Sequence, residues 1–161
     1  MKKAAQPANP PLTHANLPLL MLQGREHIIA RFRPLLKTVG LTEQQWRILR
    51  ALLERGALEP RQIGQICCLS SASLVGILAR MDDMGLVQRQ RPEHDQRRVV
   101  VSVSAKGRKL AAQLAPQIEA TYQALEAQMG PELTQQLYTL LQALDDKLGG
   151  LPLQGDESPV D

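Results

Sequence analysis

Over residues 42–103 the spacing of apolar side chains changes from helical to strand-like, and this change restricts the possible folds more than any other feature. Apolar residues recur three and four positions apart in the stretches that begin at Trp46 and Leu74, which predicts amphipathic helices. Gly85 is typical of a helix end. Val99, Val101 and Val103 then alternate with Arg98, Val100 and Ser102, which predicts a strand. The pattern predicts a mainly α fold with a small two-stranded β-wing.

Capping residues and prolines divide the chain into its predicted elements. Thr42 and Gln45 form a capping-box pattern, and Ser70 or Ser71 can cap the helix that carries Leu74. Ser104 can cap a long helix that Pro116 should bend, and Pro131 can open the last helix. In chain order we predict helices over 17–37 (kinked or ended at Pro34), 42–56, 60–66, 70–85, 104–129 and 131–148, and strands over 86–91 and 98–103. Residues 1–16 are predicted to be disordered, and residues 150–161 to form a flexible acidic tail.

Composition limits the class of protein. Apolar residues make up 43% of the chain but aromatic residues only 2%, so the core must be aliphatic. No apolar run approaches the ~20 residues that a membrane-spanning helix needs, and the N-terminus does not read as a signal peptide. We therefore expect a cytoplasmic, nucleoid-associated protein without a membrane partner.

The short helix from Pro60, the connection at 67–69 and the helix after Ser70 form a helix-turn-helix pattern. The second helix is apolar on one side and carries small or polar residues on the other, as a helix that enters the DNA major groove requires. Its candidate DNA contacts are Ser70, Ser71, Ala72, Ser73, Gly76 and Arg80. The same small face also suits close helix packing, so this pattern alone leaves both interpretations open.

A basic hairpin follows this helix. Residues 86–109 contain seven Lys/Arg and two Asp/Glu. Asp95 precedes Arg97 by two residues, where the pair can fix the loop, and an arginine so placed can enter a narrow minor groove. The candidate DNA contacts of the wing are Arg89, Arg91, Asp95, Arg97 and Arg98. The alternative is a solvated basic hairpin that binds nothing.

Charge is distributed unevenly along the chain. Residues 1–110 hold 18 Lys/Arg and 8 Asp/Glu, a net charge of +10, whereas residues 111–161 hold 1 Lys/Arg and 8 Asp/Glu, a net charge of −7. Such asymmetry indicates one part that faces a polyanion and one part that avoids it. Together with the helix-turn-helix pattern and the basic hairpin, this division indicates double-stranded DNA as the partner. The alternative is chance solvation of helical faces.

The stretch DQRRVVVSVSAKGRKL at 95–110 resembles the wing and following helix start of the MarR family of bacterial transcription regulators, whose pattern is roughly D-x-R-x(6)-[LV]-[ST]-x-x-G. The resemblance extends over about residues 17–149 and includes LTEQQWRIL and SLVGILARMDDMGLV. Within the family the chain is most similar to regulators of homoprotocatechuate and related aromatic-acid degradation. Several relatives carry arginine or proline at the positions of Ser71, Ala72 and Gly76. Their base preference therefore does not transfer to this chain.

The resemblance implies a winged helix-turn-helix homodimer that binds a palindromic operator, usually as a repressor. The expected organisation is an N-terminal dimerisation helix at 17–40, a DNA-binding domain at 41–103 and C-terminal dimerisation helices at 104–149. Leucine-rich stripes in these terminal helices support a self-interface independently, since one small lobe cannot bury them all. A twofold dimer predicts an inverted-repeat DNA site.

The resemblance also implies a small aromatic acid as effector, bound between the dimer arm and the DNA-binding lobe. A carboxylate requires a charged donor such as arginine, and an aromatic ring requires an apolar or aromatic wall. The candidate ligand residues are Gly24, Arg25, His27, Arg31, Phe32 and Trp46. The alternatives are that Trp46 is an ordinary core residue and that Arg31 forms an ordinary ion pair. No other cofactor is expected.

Three other functions remain as alternatives. Cys67 or Cys68, next to the start of a helix, could make the protein a redox-sensing repressor, because a helix N-terminus lowers the pKa of a thiol. A winged-helix adaptor that binds protein and not DNA is the second alternative. Catalysis is the third. His14, His27 and His94 lack the spacing to partner residues that a catalytic or metal site requires, so we predict neither catalytic activity nor a metal site.

Overall fold

The computed structural model describes residues 12–91 and 97–149, and these residues form a mainly helical fold with one two-stranded antiparallel sheet. The predicted fold class is confirmed. In chain order the elements are α1 (Leu17–Ile29), α2 (Arg33–Thr38), α3 (Glu43–Arg55), α4 (Pro60–Cys67), α5 (Ser71–Asp83), β1 (Val87–Gln90), β2 (Val100–Val103), α6 (Ala105–Met129) and α7 (Pro131–Leu148).

Three helices begin where their capping residues predict. The Thr42 hydroxyl accepts a hydrogen bond from the backbone N–H of Gln45 at 3.2 Å, and the Gln45 side chain accepts one from the Thr42 N–H at 2.9 Å, which completes the capping box of α3. Ser70 caps α5 and Ser104 caps α6 in the same way. These bonds satisfy backbone donors that a helix start would otherwise leave unpaired.

The first predicted helix is divided at a different place from the one expected. α1 ends at Ile29, and two hydrogen bonds between residues three apart carry the chain through Ala30–Phe32 before α2 begins at Arg33. Pro34 therefore lies in the first turn of α2, where its missing N–H leaves no bond unmade. The prediction that the helix reaches Pro34 before it kinks or ends was wrong.

The two strands pair in antiparallel register, with Val87 opposite Val103 and Gln90 opposite Val100. The structure adds a pairing that the sequence pattern did not indicate. Leu58 exchanges two backbone hydrogen bonds with Val101, of 3.0 and 2.8 Å, and so extends the sheet by one residue on the far side of β2. This bridge ties the start of the helix-turn-helix segment to the wing.

Two clusters of aliphatic side chains form the core. The larger is centred on α3, whose Ile48, Leu49 and Leu52 are almost completely buried against α4, α5 and β2. The smaller joins α2 to the middle of α6 through residues that include Leu36 and Leu114. The packing of α3 therefore positions both the helix-turn-helix segment and the wing.

The terminal helices bury little within one chain. No residue of α1 is buried, and Thr134 is the one buried residue of α7 among those described. Their exposed large apolar side chains are Leu17, Leu19, Leu20, Met21, Leu22, Leu133, Tyr138, Leu140, Leu141 and Leu148. The predicted dimerisation segments 17–40 and 104–149 contain these helices and stay a prediction.

Among the described helices, none is by itself long and apolar enough to cross a bilayer, and only the pair α4 and α5, bent by 109°, matches a span in length and composition.

Gly107 allows α6 to begin directly against the wing. A Cβ atom at this position would lie 2.2 Å from the carbonyl oxygen of Leu86 and 2.8 Å from Cγ1 of Val103. Both distances are far below van der Waals contact, and the nearer atom belongs to the backbone. Only glycine therefore permits this approach between the first turn of α6 and the wing.

We predict that Gly107→Ala lowers the free energy of unfolding by about 2 kcal/mol, because overpacking of this kind costs roughly 1–3 kcal/mol. Urea unfolding followed by circular dichroism should show a lower midpoint. Gly76→Ala is the matched control: its Cβ would meet only the Arg80 guanidinium at 3.6 Å, so the variant should be neutral or more stable. Equal stability of Gly107→Ala and the native chain would contradict the close approach.

Candidate nucleic-acid interface and ligand cleft

The turn between α4 and α5 redirects the chain by 109°, which lies in the range of helix-turn-helix motifs. Cys68 ends α4 in the left-handed conformation, with φ of 51°. The guanidinium of Arg47 donates a hydrogen bond of 2.6 Å to the Cys67 carbonyl, and the N–H of Leu69 donates one of 2.9 Å to the Gly64 carbonyl. The turn is thus held by α3 as well as by its own backbone.

α5 divides into a buried and an exposed side, as predicted for a recognition helix. Leu74, Ile77, Leu78 and Met81 are buried against the domain. The candidate DNA contacts Ser71, Ala72, Ser73 and Arg80 are exposed, and Gly76 is half-buried beside them. Ser70 serves mainly as the cap, since its hydroxyl accepts from the Ser73 N–H and donates to the Ser73 hydroxyl at 3.0 Å.

Gly76 leaves room for the Arg80 side chain to lie back along α5. One terminal guanidinium nitrogen of Arg80 lies 3.6 Å from the position that a Cβ of residue 76 would occupy. The cation is therefore carried toward the N-terminal half of the exposed face. A positive charge there can contact a phosphate or the edge of a guanine.

Two arginines of the predicted wing set are paired with carboxylates. The Nε of Arg89 lies 3.3 Å from Oδ2 of Asp82, and Arg98 donates to Glu59 at the start of α4, with an Nε–Oε1 distance of 2.5 Å. Both arginines remain about half exposed, so each pair is worth at most about 1 kcal/mol. Such weak pairs can exchange for phosphate contacts. Arg91 and Arg97 are exposed, and Asp95 lies outside the described residues.

A cleft of about 340 Å³ lies between α3 and α6. Its wall combines small apolar side chains of α6 with two cations and two carboxylates. The lining residues are Trp46, Arg50, Leu53, Glu54, Arg108, Ala111, Ala112, Ala115, Ile118 and Glu119. A space of this size, with an aromatic wall and few charged groups, suits a small organic anion.

Arg50 is the most strongly positioned cation of this cleft. Its Nε donates a hydrogen bond of 2.7 Å to Glu54, its Nη1 donates one of 3.4 Å to the Tyr122 hydroxyl, and its guanidinium carbon lies 5.6 Å from the Tyr122 ring centroid. The hydrogen bond to Glu54 raises the pKa of Arg50, although burial opposes this. Phe32 packs against Tyr122 with the ring centroids 4.8 Å apart.

Of the predicted ligand residues, the structure brings Trp46 to the cleft. Phe32 is buried against Tyr122, which in turn contacts the cleft residue Arg50. The others lie on α1 or directly after it and are engaged elsewhere or open to solvent. Arg25 pairs with Glu26 and Glu43, Arg31 donates to the His27 carbonyl and to Gln128, and a Cβ at Gly24 would meet nothing within 4 Å. The cleft takes its charge from Arg50 and Arg108 instead.

Sequence reasoning missed Arg50 and Tyr122. Arg50 follows Trp46 by four residues, so the two share one face of α3, and this spacing could have indicated the cation. Tyr122 lies 72 residues further along the chain, and no local pattern indicates its contact with Arg50.

Glu43 joins α1, α2 and α3 in one ionic network. It accepts from Arg25 at 2.5 Å and from Arg33 at 3.0 Å, and Arg47 lies within 3.5 Å. Burial raises the pKa of Glu43, but the hydrogen bonds from Arg25 and Arg33 outweigh this and hold the pKa below its ordinary value. Because Arg47 also binds the Cys67 carbonyl, the network extends to the turn before α5.

The two cysteines differ in environment. Cys67 is buried, and burial raises the pKa of its thiol although Arg47 opposes the shift. A raised pKa disfavours the reactive thiolate, so Cys67 does not fit the redox alternative. Cys68 is exposed at the end of α4. In the described part of the chain, no group of three or more His, Cys, Asp or Glu is arranged to hold a metal ion.

Comparison with known proteins gives one consistent result. Residues 39–98 match the model of the MarR family. The chain is 41% identical over 129 residues to the homoprotocatechuate degradative operon repressor of Escherichia coli, covering 80% of this chain and 87% of that one. It is 36% identical over 138 residues to the HTH-type transcriptional regulator FarR of Neisseria gonorrhoeae, covering 84% and 94%.

A solved structure gives the same result. The crystal structure of NadR in complex with 4-hydroxyphenylacetate superposes with a TM-score of 0.75 at 36% identity, covering 85% of this chain and 97% of that one. The matched proteins that are named by function are transcription regulators and not enzymes.

The strained turn between α4 and α5 generates a stability prediction. Cys68→Gly should raise the free energy of unfolding by about 1 kcal/mol, because a side chain in the left-handed region costs roughly 1–2 kcal/mol. Urea unfolding measures the difference. Cys67→Ser is the matched control on the neighbouring residue and should lower stability, since it places a hydroxyl in the core. A destabilised Cys68→Gly variant would show that Cys68 contributes contacts that outweigh its backbone strain.

Proposed function

Because the chain belongs to the MarR family, we propose that this ligand-responsive transcription regulator is a homodimeric repressor that a small aromatic carboxylate releases from an inverted-repeat operator. The observation that carries the proposal is the exposed small-residue face of α5, set at 109° to α4 and flanked by the arginines of the wing. That combination matches the shape of the major groove and the charge of its phosphates.

The dimer is supported by the unburied apolar side chains of α1 and α7. Leu17 and Leu20 of α1 are 58% and 56% exposed, and Leu140 of α7 is 68% exposed. An apolar surface of this extent on the first and last helices favours a self-interface. A twofold axis through it would present two α5 helices to successive major grooves, about 34 Å apart.

The aromatic carboxylate is supported by the cleft between α3 and α6. Arg50 can donate to a carboxylate, while Trp46 and the alanines of α6 form an apolar wall for a ring. Two relatives support the same ligand class: the Escherichia coli relative is a repressor of a homoprotocatechuate degradative operon, and NadR was crystallised with 4-hydroxyphenylacetate. Aromatic-acid catabolism is therefore the process that we propose for the regulated operon.

Release from DNA follows from the position of the cleft. α3 forms one wall of it and also holds the turn before α5 through Arg47 and the Cys67 carbonyl. A ligand that favours one spacing of α3 and α6 also favours one placement of α5. The ligand weakens DNA binding only to the extent that it binds the conformation unfit for DNA more tightly than the conformation that binds DNA.

The DNA-binding part of the proposal predicts a steep salt dependence. Arg97→Ala should weaken binding to specific and random DNA alike and reduce the slope of log affinity against log salt by about 1, as expected for one lost phosphate contact. Ser73→Ala should mainly reduce discrimination between the two DNAs. Gel shifts at several salt concentrations measure both effects. Lys147→Ala, which removes a cation from the acidic C-terminal part, is the control and should change neither.

A chain that binds no DNA at low salt, or that binds with no salt dependence, would favour the protein-binding adaptor. If the chain sediments as a monomer, the proposal that a dimer binds an inverted-repeat operator is wrong.

The effector part predicts that 4-hydroxyphenylacetate, used as the probe, lowers affinity for DNA. Arg50→Met should weaken binding of the probe by about tenfold or more, since a charge-assisted hydrogen bond contributes roughly 1.5–3 kcal/mol. Isothermal titration calorimetry measures the binding. Arg55→Met removes an exposed arginine of the same helix and should retain full affinity for the probe. Lack of any DNA release by hydroxybenzoates, phenylacetates and nicotinates would contradict this part of the proposal.

A further inference from the structure

Val75 is an exposed aliphatic residue in an unusual place. Its side chain is 70% exposed on α5. Every other large apolar side chain that is exposed in the described part of the chain lies at Leu12, on α1 or on α7, where a self-interface explains the exposure. Val75 has no such explanation.

The stability of the domain does not account for a valine at this position. The buried stripe of α5 is formed by Leu74, Ile77, Leu78 and Met81, and Val75 projects away from it. Valine is also a weaker helix former than alanine, by roughly 0.5 kcal/mol, because its branched side chain loses rotational freedom. A contact outside the protein explains the residue better than the fold does.

The neighbours of Val75 make its side chain the most prominent apolar group of this face. Among the residues three and four positions away on the helix, Ser71, Ala72 and Ala79 are small and exposed, whereas Leu78 belongs to the buried stripe. Gly76 follows directly and carries the Arg80 guanidinium above it. The isopropyl group therefore projects from a surface of small residues.

Base edges in the major groove present one apolar group, the C5-methyl of thymine. The β-branched side chain of valine is nearly fixed at χ1 in a helix, so little rotamer freedom is lost when its methyls make a contact. We propose that Val75 is a specificity-determining residue that recognises a thymine methyl in each half of the DNA site. This inference rests on the proposed function, and in particular on α5 entering the major groove.

The test begins with selection of duplexes from a random library by the native chain and by Val75→Ala. We expect the native chain to select thymine preferentially at one position in each half-site and Val75→Ala to lose that preference. Replacing that thymine by uracil, which lacks only the methyl, should lower the affinity of the native chain about fourfold per half-site and about 16-fold for both, as expected for one methyl removed from apolar contact. The variant should bind the two DNAs equally.

Two further comparisons identify the methyl group and the residue. Cytosine at the selected position should bind weakly, and 5-methylcytosine should recover part of the affinity of the native chain but not of Val75→Ala. Asp83→Ala, at the other end of α5, is the matched control and should keep the full sensitivity to uracil. Thermal unfolding of Val75→Ala should occur at the same temperature as that of the native chain or slightly above it, since alanine is the better helix former. The uracil series on the native chain is informative even without the variant.

The outcomes separate this inference from the proposed function. Selection of a defined site in which no uracil substitution changes affinity would overturn the role of Val75 and leave DNA recognition intact. If uracil lowers the affinity of the native chain and of Val75→Ala equally, another residue contacts the methyl. That result would also overturn the role of Val75. Selection of no DNA at all would overturn the proposed function and this inference together.

Discussion

The packing of α3 determines the rest of this structure. Its buried face, with Ile48, Leu49 and Leu52, supports α4, α5 and β2, so the orientation of the recognition helix depends on one aliphatic contact surface. The same helix carries Trp46 and Arg50 into the cleft toward α6. Under the proposed function, a ligand in that cleft would act on the helix that holds α4 and α5, and no long chain of intermediate contacts would be needed to connect the cleft to the DNA-binding surface.

Local sequence signals specified the helices well, because their causes are local. The Thr42–Gln45 capping box and the serine caps at 70 and 104 involve residues three apart, and each is confirmed. Long-range features were not predictable in this way. The Leu58–Val101 bridge and the Arg50–Tyr122 contact join residues 43 and 72 positions apart (101 − 58; 122 − 50), and neither leaves a periodic pattern in the chain. The break after Ile29 was misplaced because proline indicates a first helical turn as readily as a helix end.

The arginines of the wing show why charge counts alone are a poor measure of DNA affinity. Arg89 and Arg98 pair with Asp82 and Glu59, so each would have to exchange a carboxylate for a phosphate if it contacts DNA as proposed. These pairs are exposed and weak, which keeps the exchange nearly neutral in free energy. Their effect is instead geometric, because Glu59 holds one end of β2 against α4, and Asp82 holds β1 against α5.

The terminal helices impose a different constraint. α1 has 13 residues and buries none of them within its own chain, and an isolated helix of that length is marginal in water. Its ionic contacts through Arg25 to Glu43 are exposed and cannot by themselves supply the missing stability. If the apolar side chains of α1 and α7 are covered by a second copy, folding of the arms and association become one equilibrium, so stability depends on protein concentration. The spacing of the two recognition helices is then set by the same contacts that make the arms fold, and a change in either alters the other.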